Sequence, residues 1–541
     1  MNRRWALVVV GVTLPSLFAT APAKGLASAF GGGRVHLGVP ELETMVVPPV
    51  AAPTPSEARS LSELARGDGS YETLLAVALD VSGVVRQQRR RHLEALAGAD
   101  LQRLRERLAG VTDPARKGAL LLKLLHQAVF RRYASEQTYP AVVLESGVYD
   151  CVSSAILYNV FAAGLGLETE GMKLPSHAYS ALLAGRRYEV QTTVPDGFDK
   201  KLSGSALETF LRERHLTGRL GAIGRPISNA QLFALVIENR MSMHHDGPMP
   251  AGGPRREPAL RVQRLLTERL TLLVPGDRRY QRNWVAANQQ LAGWLKGSRP
   301  AEAFALTEVA LKAAAKTRSR SIVEAARMNV IAFTHASMRA SFAGGKPEQA
   351  AAVERRAEEL LGCPKASECA ELWSMARPEG WSAAKARLDA GDAAGAWRIV
   401  QLVPRPLTDP QDRMNLVFFA THEAMGRFAR GDRAGAEKLV STALSLLRCA
   451  SGGPACANIA DWMSGRWFDL DPPRAVAWAR RAYLFDRASA NARQNYVAAT
   501  HDLLNALLKR SACRDAMAAV DGLRADGIED APAQNAVRQC R

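Results

Sequence analysis

Apolar residues return every three or four positions through most of this chain, the spacing of helices buried on one face. Between residues 66 and 130 the pattern covers TLLAVALDVSGVV, HLEALAGADLQRLRERLAGV and RKGALLLKLLHQAVF, and Asp113-Pro114 makes a good helix start. SEQTYPAVVLESGV, residues 135–148, loses the period and reads as extended, with Gly147 supplying a turn. Helical spacing resumes in YDCVSSAILYNVFAAGLG, residues 149–166, where Ile156, Leu157, Val160, Phe161 and Leu165 recur at three and four. Gly164 and Gly166 then loosen or stop it. Three strand-like segments follow: ETEGMKL (168–174), HAYSALLAG (177–185) and RYEVQTTV (187–194), with a tight turn at Gly185-Arg186. SALETFLRERHL, residues 206–217, reads as a further helix. The stretch from about 115 to 235 is therefore expected to be a small α+β domain, with a short antiparallel sheet packed on the helix that begins near Cys151.

Residues 236–300 read as a helical connector interrupted by the Pro/Gly-rich HHDGPMPAGGPRREP. From 301 to 541 the chain is almost entirely helical, and it repeats. NVIAFTHASMRASFAGGKPEQA from Asn329, NLVFFATHEAMGRFARGDRAGA from Asn415 and NYVAATHDLLNALLKRSACRDA from Asn495 share an Asn, a Thr-His pair and a closing Ala. Intermediate units such as WSAAKARLDAGDAAGAWRIV lie between them, so the underlying unit is about forty residues, one helix pair. Small residues at close-packing points and the Gly-Asp turns (Gly391-Asp392, Gly431-Asp432) make this region similar to the tetratricopeptide family, an α-solenoid. His335, His422 and His501 hold the same register in each copy, which points to a structural helix-to-helix hydrogen bond. The adjacent His244 and His245 have no carboxylate spacing beside them and read as surface residues.

Composition supports a multidomain, mostly α protein. A chain of 541 residues exceeds what one core needs, and 6% aromatic content with abundant alanine favours helix over sandwich or barrel. The formal charge of +18 raises nucleic acid as a partner. The basic residues are dispersed, however, and the dense run RQQRRRH from Arg86 lacks interleaved aromatics, so it reads as a solvated helix face and no specific nucleic acid is expected. No motif for a cofactor or a metal is present.

The chain opens with Arg3 and Arg4, an apolar run over 5–18, and small residues Ala19, Ala21 and Ala23, the three parts of a secretory signal. Cleavage after Ala23 would leave a mature chain with no membrane span, exported to the periplasm or outside, and residues 24–65 as a flexible Gly/Pro/Ala-rich linker. Export changes the meaning of the seven cysteines. Six lie close in sequence as Cys363 with Cys369, Cys449 with Cys456, and Cys513 with Cys540, and pairing them as disulfides leaves Cys151 alone.

Cys151 stands where an extended segment is expected to become a helix, and helix-start amides together with a nearby imidazolium favour a thiolate. His177 lies on a strand, and Glu189 and Gln191, two residues apart on the next strand, share one face; either could orient the imidazole. Tyr188 and Val190 would face the core. Gly147, Asp150 and Cys151, then PSHAYSAL, then YEVQTTVPDGF resemble the transglutaminase-like cysteine protease superfamily, which has a papain-like arrangement. By register Gln191 takes the position that is acidic in that superfamily. The resemblance covers about 120 residues, spans 66–235 with its helical lead-in, and implies thiol acyl transfer on a peptide bond or glutamine amide. Three outcomes follow from it: a cysteine peptidase or amidase with a protein or peptide substrate, a cross-linking transglutaminase, or a non-catalytic domain whose helical repeats serve protein–protein interaction.

Overall fold

The computed structural model describes residues 50–174, 177–200, 224–244, 253, 256–365, 367–403 and 407–540. The expected signal segment 1–23, most of the expected linker and the expected helix 206–217 lie outside the described residues. The protein is mostly helical with a small sheet region. It divides into two compact units, one of residues 1–295 with 305–329 and one of residues 296–304 with 330–541.

In the first unit, the end of the expected linker is a helix, α1 (Pro55–Ala65). Thr54 and Glu57 form a reciprocal capping box at its start, and Leu61 and Leu64 bury its inner face. Short polar segments with such a cap are easily read as linker from composition alone. α2 (Tyr71–Val81), α3 (Gln87–Leu108) and α4 (Pro114–Ala128) follow where the apolar period places them. Asp113 caps α4 with Pro114 behind it.

The approach to the cysteine differs from the extended segment expected. β1 (Arg132–Tyr133) leads into α5 (Pro140–Ser146), a seven-residue helix. Pro140 presets its first turn, and Gly147 ends it in the left-handed region at φ 76°. A four-residue apolar run of Ala141 to Leu144 carries no period long enough to separate helix from strand. β2 (Val148–Tyr149) then pairs in parallel with β1.

α6 (Cys151–Gly164) is buried on every side from Val152 to Ala162. Full burial of Ile156, Leu157, Val160 and Phe161 contributes about 1.5–3 kcal/mol each. The sheet has the order β5-β4-β3-β6, antiparallel throughout, from β3 (Thr169–Leu174), β4 (His177–Ala184), β5 (Arg186–Val190) and β6 (Arg225–Ile227). Ala178, Leu182 and Val190 join the core with α6, and the Ser180 hydroxyl donates to Ala155 O of α6 at 3.1 Å. Tyr188 packs against the same core, so its face and that of Val190 are the inner ones. α7 (Asn229–His244), α8 (Arg256–Leu273) and α9 (Arg278–Leu295) complete the described helices before the boundary. A buried ion pair joins Arg269 of α8 to Glu57 of α1 at 2.6 Å.

α10 (Pro300–Lys316) and α11 (Arg320–Ala343) each contribute residues to both units. In the second unit the helices run in order: α12 (Pro347–Leu361), α13 (Glu368–Asp389), α14 (Ala393–Gln401), α15 (Pro410–Ala429), α16 (Arg433–Leu446), α17 (Pro454–Trp467), α18 (Pro472–Phe485), α19 (Ala490–Leu508), α20 (Cys513–Ala525) and α21 (Ala531–Ala536). The Gly-Asp turns work as two devices in sequence. Gly391 and Gly431 take φ near 80°, and Asp392 and Asp432 then cap α14 and α16 through Gly395 N and Gly435 N. A side chain on Gly395 or Gly435 would collide with the capping carboxylate. The repeated histidines diverge: His335 Nε2 reaches Glu379 at 2.9 Å and His501 Nε2 reaches Asp530 at 2.8 Å, both on other elements, while His422 Nδ1 bonds Phe418 O within its own helix. Disulfides join Cys363 to Cys369, Cys449 to Cys456 and Cys513 to Cys540. Among the described residues no helix is long and apolar enough to cross a membrane.

Candidate active site

Cys151 is the first residue of α6. Asp150 caps that helix in a closed box: its carboxylate accepts from Ser153 N at 2.7 Å, and its own amide donates to Ser153 Oγ at 2.9 Å. The Ser153 hydroxyl lies 2.9 Å from Gln137 O and 2.7 Å from the Asp150 carboxylate. Cys151 is the free cysteine, partly open to solvent. The amides of Ala178, Cys151 and Val152 approach its sulfur and favour the thiolate. Ala178 follows His177 on β4, so the strand that carries the histidine reaches the thiol directly.

Electrostatics here run against the activated thiolate expected from helix-start position. Dense surroundings push the Cys151 thiol up to about 12, and the Asp150 charge adds to the effect. Burial also pushes the Asp150 carboxyl up to about 7, against the hydrogen bonds from Ser153 and the amides of Val152 and Asp150. A helix start favours an anion only to the degree that the anion is hydrated or paired, and the packing around Cys151 limits how much water reaches its sulfur. At neutral pH Cys151 rests as a thiol.

His177 begins β4 and is buried. Its Nε2 lies 3.0 Å from Gln191 Oε1. An amide oxygen only accepts, so Nε2 carries the hydrogen and Nδ1 is the basic nitrogen of the neutral ring. The ring stacks on Tyr179, with centroids 5.8 Å apart. Gln191 is not on a strand: β5 ends at Val190, and Gln191 opens a turn in which its amide donates to Gly197 O at 2.9 Å. A Cβ on Gly197 would sit 2.1 Å from the Gln191 carbonyl oxygen, so the turn closes only around glycine. Glu189 has a different partner, the Tyr179 hydroxyl, which donates to it at 3.4 Å. Of the two candidate orienters, Gln191 is the one bonded to His177.

Three residues of this neighbourhood have no motif to announce them. His126, near the end of α4, places Nε2 3.0 Å from Thr192 O. The Tyr149 hydroxyl donates to Thr193 O at 3.3 Å. Ser154 Oγ lies 2.9 Å from Thr192 Oγ1. Tyr149 and Ser154 flank Cys151 in the chain, which is the only sequence hint; His126 offers none.

No family model matches this chain, and no curated protein matches it. Among solved structures it is similar to menin, whose structure was reported for its binding site for the Mixed Lineage Leukemia protein, at 13% identity and a TM-score of 0.29 over 83% of this chain and 96% of that one. It is also similar to a circular tandem repeat protein, at 12% identity and a TM-score of 0.21 over 89% of this chain and 94% of that one. Likenesses this low carry nothing about this chain's activity or partners.

Proposed function

We propose that this protein is an exported thiol acyl-transfer enzyme, a cysteine peptidase or amidase of the transglutaminase-like kind that acts on peptide bonds or glutamine amides. The observation that carries the reading is the buried His177–Gln191 hydrogen bond on the strand whose next amide, Ala178, meets the Cys151 sulfur. His177 Nδ1 takes the thiol proton as the sulfur attacks the acyl carbon, which keeps a lone thiolate from ever being buried. Helix-start amides stabilise the oxyanion. The protonated ring then gives its proton to the departing amine, a thioester forms, and water attacks it with His177 again as base. Gln191 holds the ring without adding charge. The paired cysteines support an oxidising compartment, and the helical repeats of the second unit, similar in pattern to tetratricopeptides, offer surface for a protein partner.

A second reading is a non-catalytic module of the same fold. It is favoured by the thiol held up at about 12 and by an uncharged orienter. Iodoacetamide alkylation of Cys151, followed by mass spectrometry across neutral to alkaline pH, separates the two. In the enzyme, His177→Ala slows alkylation at neutral pH by about tenfold or more, a loss of general-base assistance. An accessible Cys151 whose rate is indifferent to His177→Ala would leave only the module.

A further inference from the structure

Gln191 can orient His177 only if the turn that carries it is itself fixed; β5 ends at Val190, whose antiparallel bridge to Phe198 closes the base of the turn. The turn is closed on one side by its own backbone, through Gln191 N to Gly197 O, Val194 N to Gln191 O and Gly197 N to Val194 O. On the other side it is fastened by side chains from three separate elements. His126 of α4 donates from Nε2 to Thr192 O, because a carbonyl only accepts. Tyr149 of β2 donates to Thr193 O. Ser154, one turn into the cysteine helix, meets the Thr192 hydroxyl. His126 and Tyr149 also pack edge-on to each other at 5.7 Å, and Phe130 contacts both rings, so the two donors hold each other in place.

Thr192 and Thr193 are fully buried. Their carbonyls therefore depend on these donors rather than on water, and loss of one donor leaves an acceptor unsatisfied in the interior. The geometry points to His126, with Tyr149 and Ser154, as positioning residues that act on the reaction through Gln191: they fix the Gln191 turn against the cysteine helix and so fix the His177 ring relative to the thiol. The inference rests on the acyl-transfer reading. It differs from that reading in assigning a second histidine, far from His177 in sequence, to the same site.

The test is a mutant cycle on the full chain, read as the rate of Cys151 alkylation by iodoacetamide at neutral pH, with thermal melts to verify folding. His126→Phe keeps the ring packing and removes the donor. It should slow alkylation about tenfold in the wild-type background and produce no further loss in a Gln191→Ala background, the non-additivity of residues acting in series. His126→Gln, whose amide can donate to Thr192 O, should recover most of the rate. Tyr149→Phe and Ser154→Ala, each a single-atom deletion that leaves no large cavity, should behave as weaker versions of His126→Phe and carry the test if that variant fails to fold. Tyr158→Phe is the control, because it removes a buried hydroxyl that bonds Gly118 O and not Thr192 or Thr193. Equal losses from His126→Phe with and without Gln191, or a loss from Tyr158→Phe as large as from His126→Phe, overturns the assignment while His177 dependence leaves the acyl-transfer reading standing. Absence of any effect from His177→Ala overturns both.

Discussion

Asp150 and Asp432 do the same local work in two different settings. Each caps a helix through a backbone amide, Asp150 to Ser153 N at 2.7 Å and Asp432 to Gly435 N at 2.9 Å. Asp432 has half its side chain in solvent, where water shares the charge. Asp150 is enclosed between the cysteine helix and its neighbours, and burial raises its carboxyl to about 7. The hydrogen-bond rule that places an aspartate before a helix holds in both units. Packing encloses the first carboxylate and leaves half of the second in solvent, and only the first sits beside a free cysteine.

The comparison can be broken most forcefully at Asp150. Asn is as good an N-cap, so Asp150→Asn keeps the bond to Ser153 N and removes the ionisation. The folded carboxyl titrates near 7 and the unfolded one at 3.8, so its contribution is fully present below the unfolded value and is lost as pH rises from about 4 through 7. Urea unfolding should show the wild type losing up to about 4 kcal/mol relative to Asp150→Asn over that window. The same variant should raise the alkylation rate of Cys151, since a charge that holds the thiol up is gone. A stability difference that does not change with pH would mean that Asp150 is ionised throughout and that the two caps are equivalent.

Next in size is the clip that ties the C-terminal tail. Cys513→Ser with Cys540→Ser opens a loop of sequence separation 27 and should cost about 3.5 kcal/mol, against about 2.5 for the loop of separation 7 at Cys449 and Cys456. Thermal melts of the two double variants rank them, and alkylation of Cys151 should be the same in both. Smallest is the exposed cap. Asp432→Ala should cost about 1 kcal/mol, checked by the same urea titration. A loss there as large as the one at Asp150 would erase the contrast between the two caps.

Much of this was legible because it is local. Asp113-Pro114 before α4, the Gly-Asp turns before α14 and α16, and the close cysteine pairs are each specified within a few residues. α5 was not, because a seven-residue helix rests on Pro140 and Gly147 rather than on periodicity. Strand parity puts Glu189 and Gln191 on one face and cannot choose between them, and β5 ends before Gln191. That choice depends on where β5 ends and on Tyr179, which takes up Glu189 from a neighbouring strand. His126 was invisible for the same reason at longer range: its bond to Thr192 spans 66 positions of sequence and has no spacing rule. Helix-start position shows the amides that favour a thiolate at Cys151, but not the packing that pushes its thiol up, which depends on residues distant in sequence.

The sulfur chemistry is sorted by unit. All three disulfides belong to the second unit, and the one thiol belongs to the first. A reductant in a purification buffer therefore asks different things of the two halves of the same molecule. In the first it keeps the free Cys151 thiol reduced; in the second it can only unfasten loops. Preparations that differ in nothing but their thiol content will differ in which half has been kept intact.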